Sequence, residues 1–140
     1  MMVVGGNNMK QAPEWVTKLI EHVVKEHSHR ALPKLIWRKR SGFHSSGTTY
    51  TGFNKKIIVR YGSDELDQRL VLLHELAHWI SPKNSGHTVR FWKTAWMLYD
   101  IYGIPEKYAV DREKHYKKRA IITYIDMKVT NQIWKGGEQI

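Results

Sequence analysis

The stretch His74-Glu75-Leu76-Ala77-His78 offers two imidazoles four residues apart, with a carboxylate beside the first. On a helix, positions i and i+4 lie one above the other on the same face, so His74 and His78 can present two nitrogens to one metal ion. A zinc ion held by nitrogen at about 2.0–2.1 Å, with one position left to water, brings the pKa of that water to roughly 7. Glu75 then has a proton to take as general base. Three fixed letters at this spacing arise by chance in roughly one chain in forty of this composition, and the context sharpens the signal. Leu66, Leu70, Leu73, Leu76, Ala77 and Ile80 recur at helical spacing, and Asp64, Glu65 and Asp67 suit the positive end of a helix. The motif is predicted to lie on a helix.

A third ligand must come from chain that turns back. Ser81-Pro82 ends the helix, Lys83 to Ser85 is turn-like, and Gly86-His87 follows, with His87 nine residues beyond His78. His87 is the first choice. The metzincin spacing places a histidine six residues after the second motif histidine, where this chain has Asn84, and that pattern is rejected. In the gluzincin pattern the third ligand is an acid on a later helix, which leaves Asp100 and Glu106 as alternatives ranked below His87.

The run HELAHWISPKNSGHTVRF, His74 to Phe91, resembles the SprT-like (Spartan-like) zinc metallopeptidases, whose pattern is HExxH, a short loop, then Gly-His and an aromatic opening the next helix. The resemblance is close over motif and loop and extends in element order over about residues 13–103. It implies a zincin-like fold and zinc-dependent peptide hydrolysis. It also implies, by likeness to the Spartan type, action on DNA-attached proteins restrained by DNA binding. Thr88 stands where family members commonly have a second glycine, and a cysteine zinc ribbon cannot form because the chain has no cysteine.

Composition bounds the rest. At 140 residues and 41% hydrophobic, the chain suits one domain: a flexible leader over 1–12, a core over about 13–103 and a basic C-terminal extension over 104–140. Without cysteine there are no disulfides, thiolate sites or thiol catalysis. No apolar run approaches the ~18–20 residues that span a bilayer, and Met1 to Lys10 lacks the pattern of a signal peptide. The expectation is a soluble, unexported, intracellular protein with no membrane partner; oligomeric state is not legible. Net charge is +10, distributed as +8 over residues 1–60, −1 over 61–110 and +3 over 111–140. Basic flanks around a neutral middle favour polyanions or acidic protein surfaces, or simply solubility.

Along the chain, Pro13 is placed to start a helix running through about His27, with Trp15, Val16, Leu19, Ile20, Val23 and Val24 as a face to pack on a sheet. His22, His27 and His29 on its polar side read as surface histidines rather than a second metal site. Leu35 to Arg40, Thr48 to Thr51 and Lys56 to Tyr61 read as strands, joined by a loop carrying His44 and a turn at Phe53. An extended substrate would pair with a sheet edge, either Thr48 to Thr51 or the segment after the Phe53 turn. Thr88 is a candidate N-cap for a helix whose Phe91, Trp92, Ala95, Trp96, Tyr99 and Tyr102 form a core stripe ending at Gly103. Pro105-Glu106 opens a last helix carrying the charged stretch Arg112 to Arg119, Ile121 to Met127 alternates weakly as a strand, and Lys135-Gly136-Gly137 is frayed. The fold class is α+β: an N-terminal helix, a small three-stranded sheet, the HExxH helix, a second long helix, and a helix/strand extension.

Two functions from different classes fit. The first is a zinc endopeptidase with one Zn2+ per chain held by His74, His78 and His87, Glu75 as base, and a protein or peptide as substrate. Tyr50, Tyr61, Arg90, His115 and Tyr116 are candidates to stabilise the transition state. The second is a non-catalytic, zinc-stabilised basic module that binds nucleic acid. For either, DNA contacts, especially to single strands, would come from Arg38, Lys39, Arg40, Lys55, Lys56, Lys117, Lys118 and Arg119. Trp37, Phe43 and Tyr116 are candidates for base stacking.

Overall fold

The computed structural model describes residues 12–40, 46–50, 55–62, 64–81 and 86–135. The leader, the His44 loop with Phe43, the Phe53 turn, residues 82–85 of the turn before Gly86, and Gly136-Gly137 lie outside the described residues. The fold class is α+β, with five α-helices and a three-stranded mixed sheet among the described residues. The chain forms two compact units, Met1–Ile80 and Ser81–Ile140.

In the first unit, α1 (Glu14–His27) starts after Pro13, whose missing N–H costs nothing at a helix start. It buries Val16, Ile20, Val23 and Val24, the face its spacing predicts. Its main neighbour is α2 (Glu65–Ile80) rather than the sheet, although Trp15 meets Trp37 of β1 edge to face at 6.2 Å. The strands are β1 (Lys34–Lys39), β2 (Gly47–Tyr50) and β3 (Lys56–Tyr61), in the order β1-β3-β2. β3 is central, parallel to β1 with Lys34 opposite Lys56, and antiparallel to β2 with Tyr50 opposite Lys56. The segment after the Phe53 turn is therefore not an edge, because β3 has a partner on each side; β2 is one.

Side chains alternate across a strand. Leu35, Trp37, Ile57 and Val59 are buried on one face, and Gly47 and Thr49 share that face by register. Lys34, Arg38, Lys56 and Arg60 fall together on the other. The Asp64 carboxylate caps α2 by accepting the Asp67 N–H at 3.0 Å. From Leu70 to Ala77 every residue of α2 is buried. Trp79 anchors its end, donating Nε1–H to the Ala31 carbonyl at 3.1 Å.

The second unit is helical. Thr88 caps α3 (Val89–Ile101) through its hydroxyl, which accepts the Phe91 N–H. Phe91, Trp92, Ala95, Trp96 and Tyr99 are fully buried. Gly103, at φ +83°, lets the chain leave α3 while the Ile104 N–H returns to the Tyr99 carbonyl at 2.9 Å. Next come α4 (Glu106–Glu113), a 3-10 turn (Lys114–Tyr116) and α5 (Lys118–Val129). The charged stretch Arg112 to Arg119 is thus not one helix, since Lys117 breaks it at φ +67°. Ile121 to Met127 is not a strand. Ala120, Thr123 and Met127 recur at helical spacing and are the residues buried, while Ile122 and Ile125 stand out in solvent. Two buried polar groups find partners across the helices: Trp96 donates to the Ala120 carbonyl at 3.0 Å and Tyr99 donates to the Glu113 carboxylate.

Candidate metal centre

The helical spacing of α2 places His74 and His78 one turn apart, with ring centres 5.3 Å apart and planes inclined at 66°. Two imidazoles on one tetrahedral zinc, with nitrogens at about 2.0–2.1 Å from the metal and each ring centre about 1.15 Å further out, would have centres about 5.2 Å apart. The ring separation is compatible with a shared ion. His74 is buried and His78 half-buried.

Glu75, only 6% exposed, is held from the sheet. The Thr49 hydroxyl donates to Glu75 Oε1 at 2.6 Å and lies 3.0 Å from the Glu75 carbonyl oxygen. Two strand positions away, Gly47 leaves room for the carboxylate stem. A Cβ there would come within 2.8 Å of both Cγ and Oε2 of Glu75, closer than real Cβ contacts allow. The motif alone does not reveal either residue. A glycine opening a strand is nevertheless a signal of close approach by another element, and Gly47 carries it.

In the second unit, His87 follows Gly86, whose φ of +51° favours glycine. The His87 ring is exposed yet ringed by aromatics: Phe91 at 5.0 Å edge to face, Trp92 at 5.8 Å stacked, and Tyr116 at 4.5 Å. The stripe predicted as core is core from Phe91 to Tyr99, with Tyr102 half-buried at its end, and its first turn also steadies this imidazole. One ligand atom from each of His74, His78 and His87 lies within 4.8 Å of the others, close enough to bind a metal ion.

The alternatives fall elsewhere. Glu106 accepts the Tyr124 hydroxyl and pairs with Lys128 at 3.1 Å, and neither it nor Asp100 joins the cluster. His22, His27 and His29 form no group of three metal ligands among the described residues; burial, the largest influence on His27, lowers its pKa. Of the five candidates for transition-state stabilisation, Tyr116 packs on His87, while His115 packs on Tyr116. Tyr61 stacks on Trp37, Tyr50 lies under the Lys56 ammonium, and Arg90 is exposed on the first turn of α3.

The basic residues do not form one set. Arg38 and Lys56 share a sheet face with Lys34 and Arg60, which the sequence reading omitted. Lys39 alternates to the opposite face, Arg40 and Lys55 lie just beyond strand ends, and Lys117, Lys118 and Arg119 line a cavity in the second unit. Trp37 is buried between Trp15 and Tyr61 and so is withdrawn from stacking on a base. No helix among the described residues is long and apolar enough to cross a membrane. No protein-family model, curated protein or solved structure matches the chain.

Proposed function

We propose that the chain is a zinc-dependent endopeptidase of SprT-like type, with His74, His78 and His87 holding one Zn2+ and Glu75 acting as general base. The observation that carries this reading is the treatment of Glu75. A purely structural zinc site normally closes with four protein ligands and needs no base. Here a buried carboxylate beside the first histidine is oriented by a strand hydroxyl and given room by a glycine.

When bound, zinc supplies Lewis acidity, lowering the pKa of water and polarising a carbonyl. Glu75 accepts the proton of the attacking water on its carboxylate and delivers it to the leaving amine nitrogen. Thr49 keeps the carboxylate in one rotamer while this happens. The open edge of β2, which bears Thr49, offers backbone groups to an extended peptide, so the substrate would align as a further strand beside the base. Tyr116, among the candidate stabilisers, packs directly on His87.

The deciding experiment compares wild type with Glu75→Gln for zinc content and for casein cleavage. Equal zinc near one per chain, with cleavage reduced about 10²–10⁴-fold in the variant, is the expected result. Undiminished cleavage would remove Glu75 from the mechanism.

A second reading, a basic module that binds nucleic acid with or without proteolysis, is favoured by the sheet face carrying Lys34, Arg38, Lys56 and Arg60. Binding of a single-stranded oligonucleotide should then weaken with salt at a slope of about −0.7 per phosphate contact. Arg38→Ala with Lys56→Ala should flatten that slope. An unchanged slope would exclude this face.

A further inference from the structure

The second unit contains a cavity of about 650 Å³ whose lining joins His87, Trp92 and Tyr116 to three consecutive cations, Lys117, Lys118 and Arg119. Two aliphatic side chains, Val89 at 48% exposure and Ile122 at 61%, stand at the same cavity. No carboxylate is among the lining residues. Elsewhere in this unit, Lys107, Lys114 and Lys128 are each matched with an acid. Among the described residues, the three cavity cations make no such pair. The lining therefore combines an aromatic floor, an aliphatic rim and uncompensated positive charge, beside a proposed metal ligand.

We propose that this cavity is a specificity subsite that receives an acidic side chain, Asp or Glu, from a peptide lying along His87. The proposal rests on the peptidase reading and names the class of substrate it prefers. An acidic residue suits the lining because its carboxylate can meet the Lys and Arg donors while its short methylene stem lies against Tyr116 and Ile122. A nucleic-acid strand suits it less well. Single-stranded sites track about 4–16 nucleotides with a continuous groove, whereas an open pocket of this volume has the size, about 300–1,000 Å³, of a site for one compact group.

The test separates binding from cutting. Zinc-loaded Glu75→Gln protein is titrated with labelled peptides identical except for one residue, Glu, Gln or Lys, scanned along the sequence and read by fluorescence anisotropy. At one position the Glu peptide should bind roughly tenfold more tightly than the Gln peptide, because charge-assisted hydrogen bonds are about twice as strong as neutral ones. Adding Lys118→Glu and Arg119→Glu should invert the preference toward the Lys peptide. Misfolding cannot produce an inversion, and glutamates in the first turn of α5 are favourable to that helix. Equal affinity for Glu and Gln peptides at every position overturns the proposal. So does an oligothymidylate that binds through these cations while the peptides are indifferent to the substitutions. If the Glu preference appears and inverts, but the wild-type protein cleaves none of the peptides, the subsite stands and the peptidase reading falls.

Discussion

Glu75 and His87 are positioned by opposite means. Glu75 lies in the interior of the first unit, where a directional hydrogen bond from Thr49 and the missing side chain of Gly47 fix one rotamer. His87 is exposed on the second unit, where three aromatic rings pack against it. The first arrangement tolerates almost no change in volume, because densely packed interiors transmit small displacements. The second is cushioned, since ring contacts are individually worth only about 0.5–1.5 kcal/mol and can share the load. The proposed proton-transferring role of Glu75 calls for the first kind of control; the proposed metal-ligand role of His87 can be served by the second.

Breaking the rigid side should have the largest effect. Gly47→Ala puts a methyl group 2.8 Å from Glu75 Cγ. If Glu75 is the base proposed, displacing it by about 1 Å should cost on the order of 10²-fold in kcat/KM, with zinc content unchanged by metal analysis. If kcat/KM is retained, the close approach has no mechanistic weight. On the cushioned side, Tyr116→Ala removes the ring nearest His87. It should weaken zinc roughly tenfold in a chelator competition, the lower end of what groups supporting a metal ligand contribute. A loss as large as that of His87→Ala would mean the cluster does not share the load.

Thr49→Val sharpens the same contrast. It keeps the shape and deletes the donor to Glu75 Oε1. A hydrogen bond to a charged group is worth about 1.5–3 kcal/mol, and the lower end of that range corresponds to a fall in kcat of roughly tenfold, expected with KM and zinc affinity unmoved. The smallest effect is expected from Gly86→Ala. The φ of +51° makes alanine cost about 1 kcal/mol there, read as a modest lowering of thermal midpoint in the zinc-free protein.

The sequence carried the repeating features and missed those that depend on what lies opposite. The i, i+4 spacing placed His74 and His78, and the Thr88 cap and the Phe91 to Tyr99 stripe placed α3, because helix geometry converts spacing into position. Gly47 signals a close approach without naming what approaches, and Thr49 is legible only once β2 is known to lie against Glu75, since one strand says nothing about the helix it faces. The strand expected at Ile121 to Met127 failed because β-branched residues bias toward extended chain. Burial of Ala120, Thr123 and Met127 on one face decided for helix. The DNA residues were chosen by charge along the chain, and strand alternation then divided Arg38 from Lys39.

The sheet order also has a consequence for how the first unit folds. β2 and β3 are near neighbours in the chain, with Tyr50 opposite Lys56, whereas the parallel pair joins Lys34 to Lys56. Raising the separation from six residues to twenty-two adds about 1.2 kcal/mol of closure entropy, which favours the β2-β3 hairpin forming first, on the microsecond scale of local pairings. The strand pair that later orients Glu75 would then precede both β1 and the helix that carries the carboxylate. In pulsed hydrogen exchange during refolding, amides bonded between β2 and β3 should gain protection before those between β1 and β3.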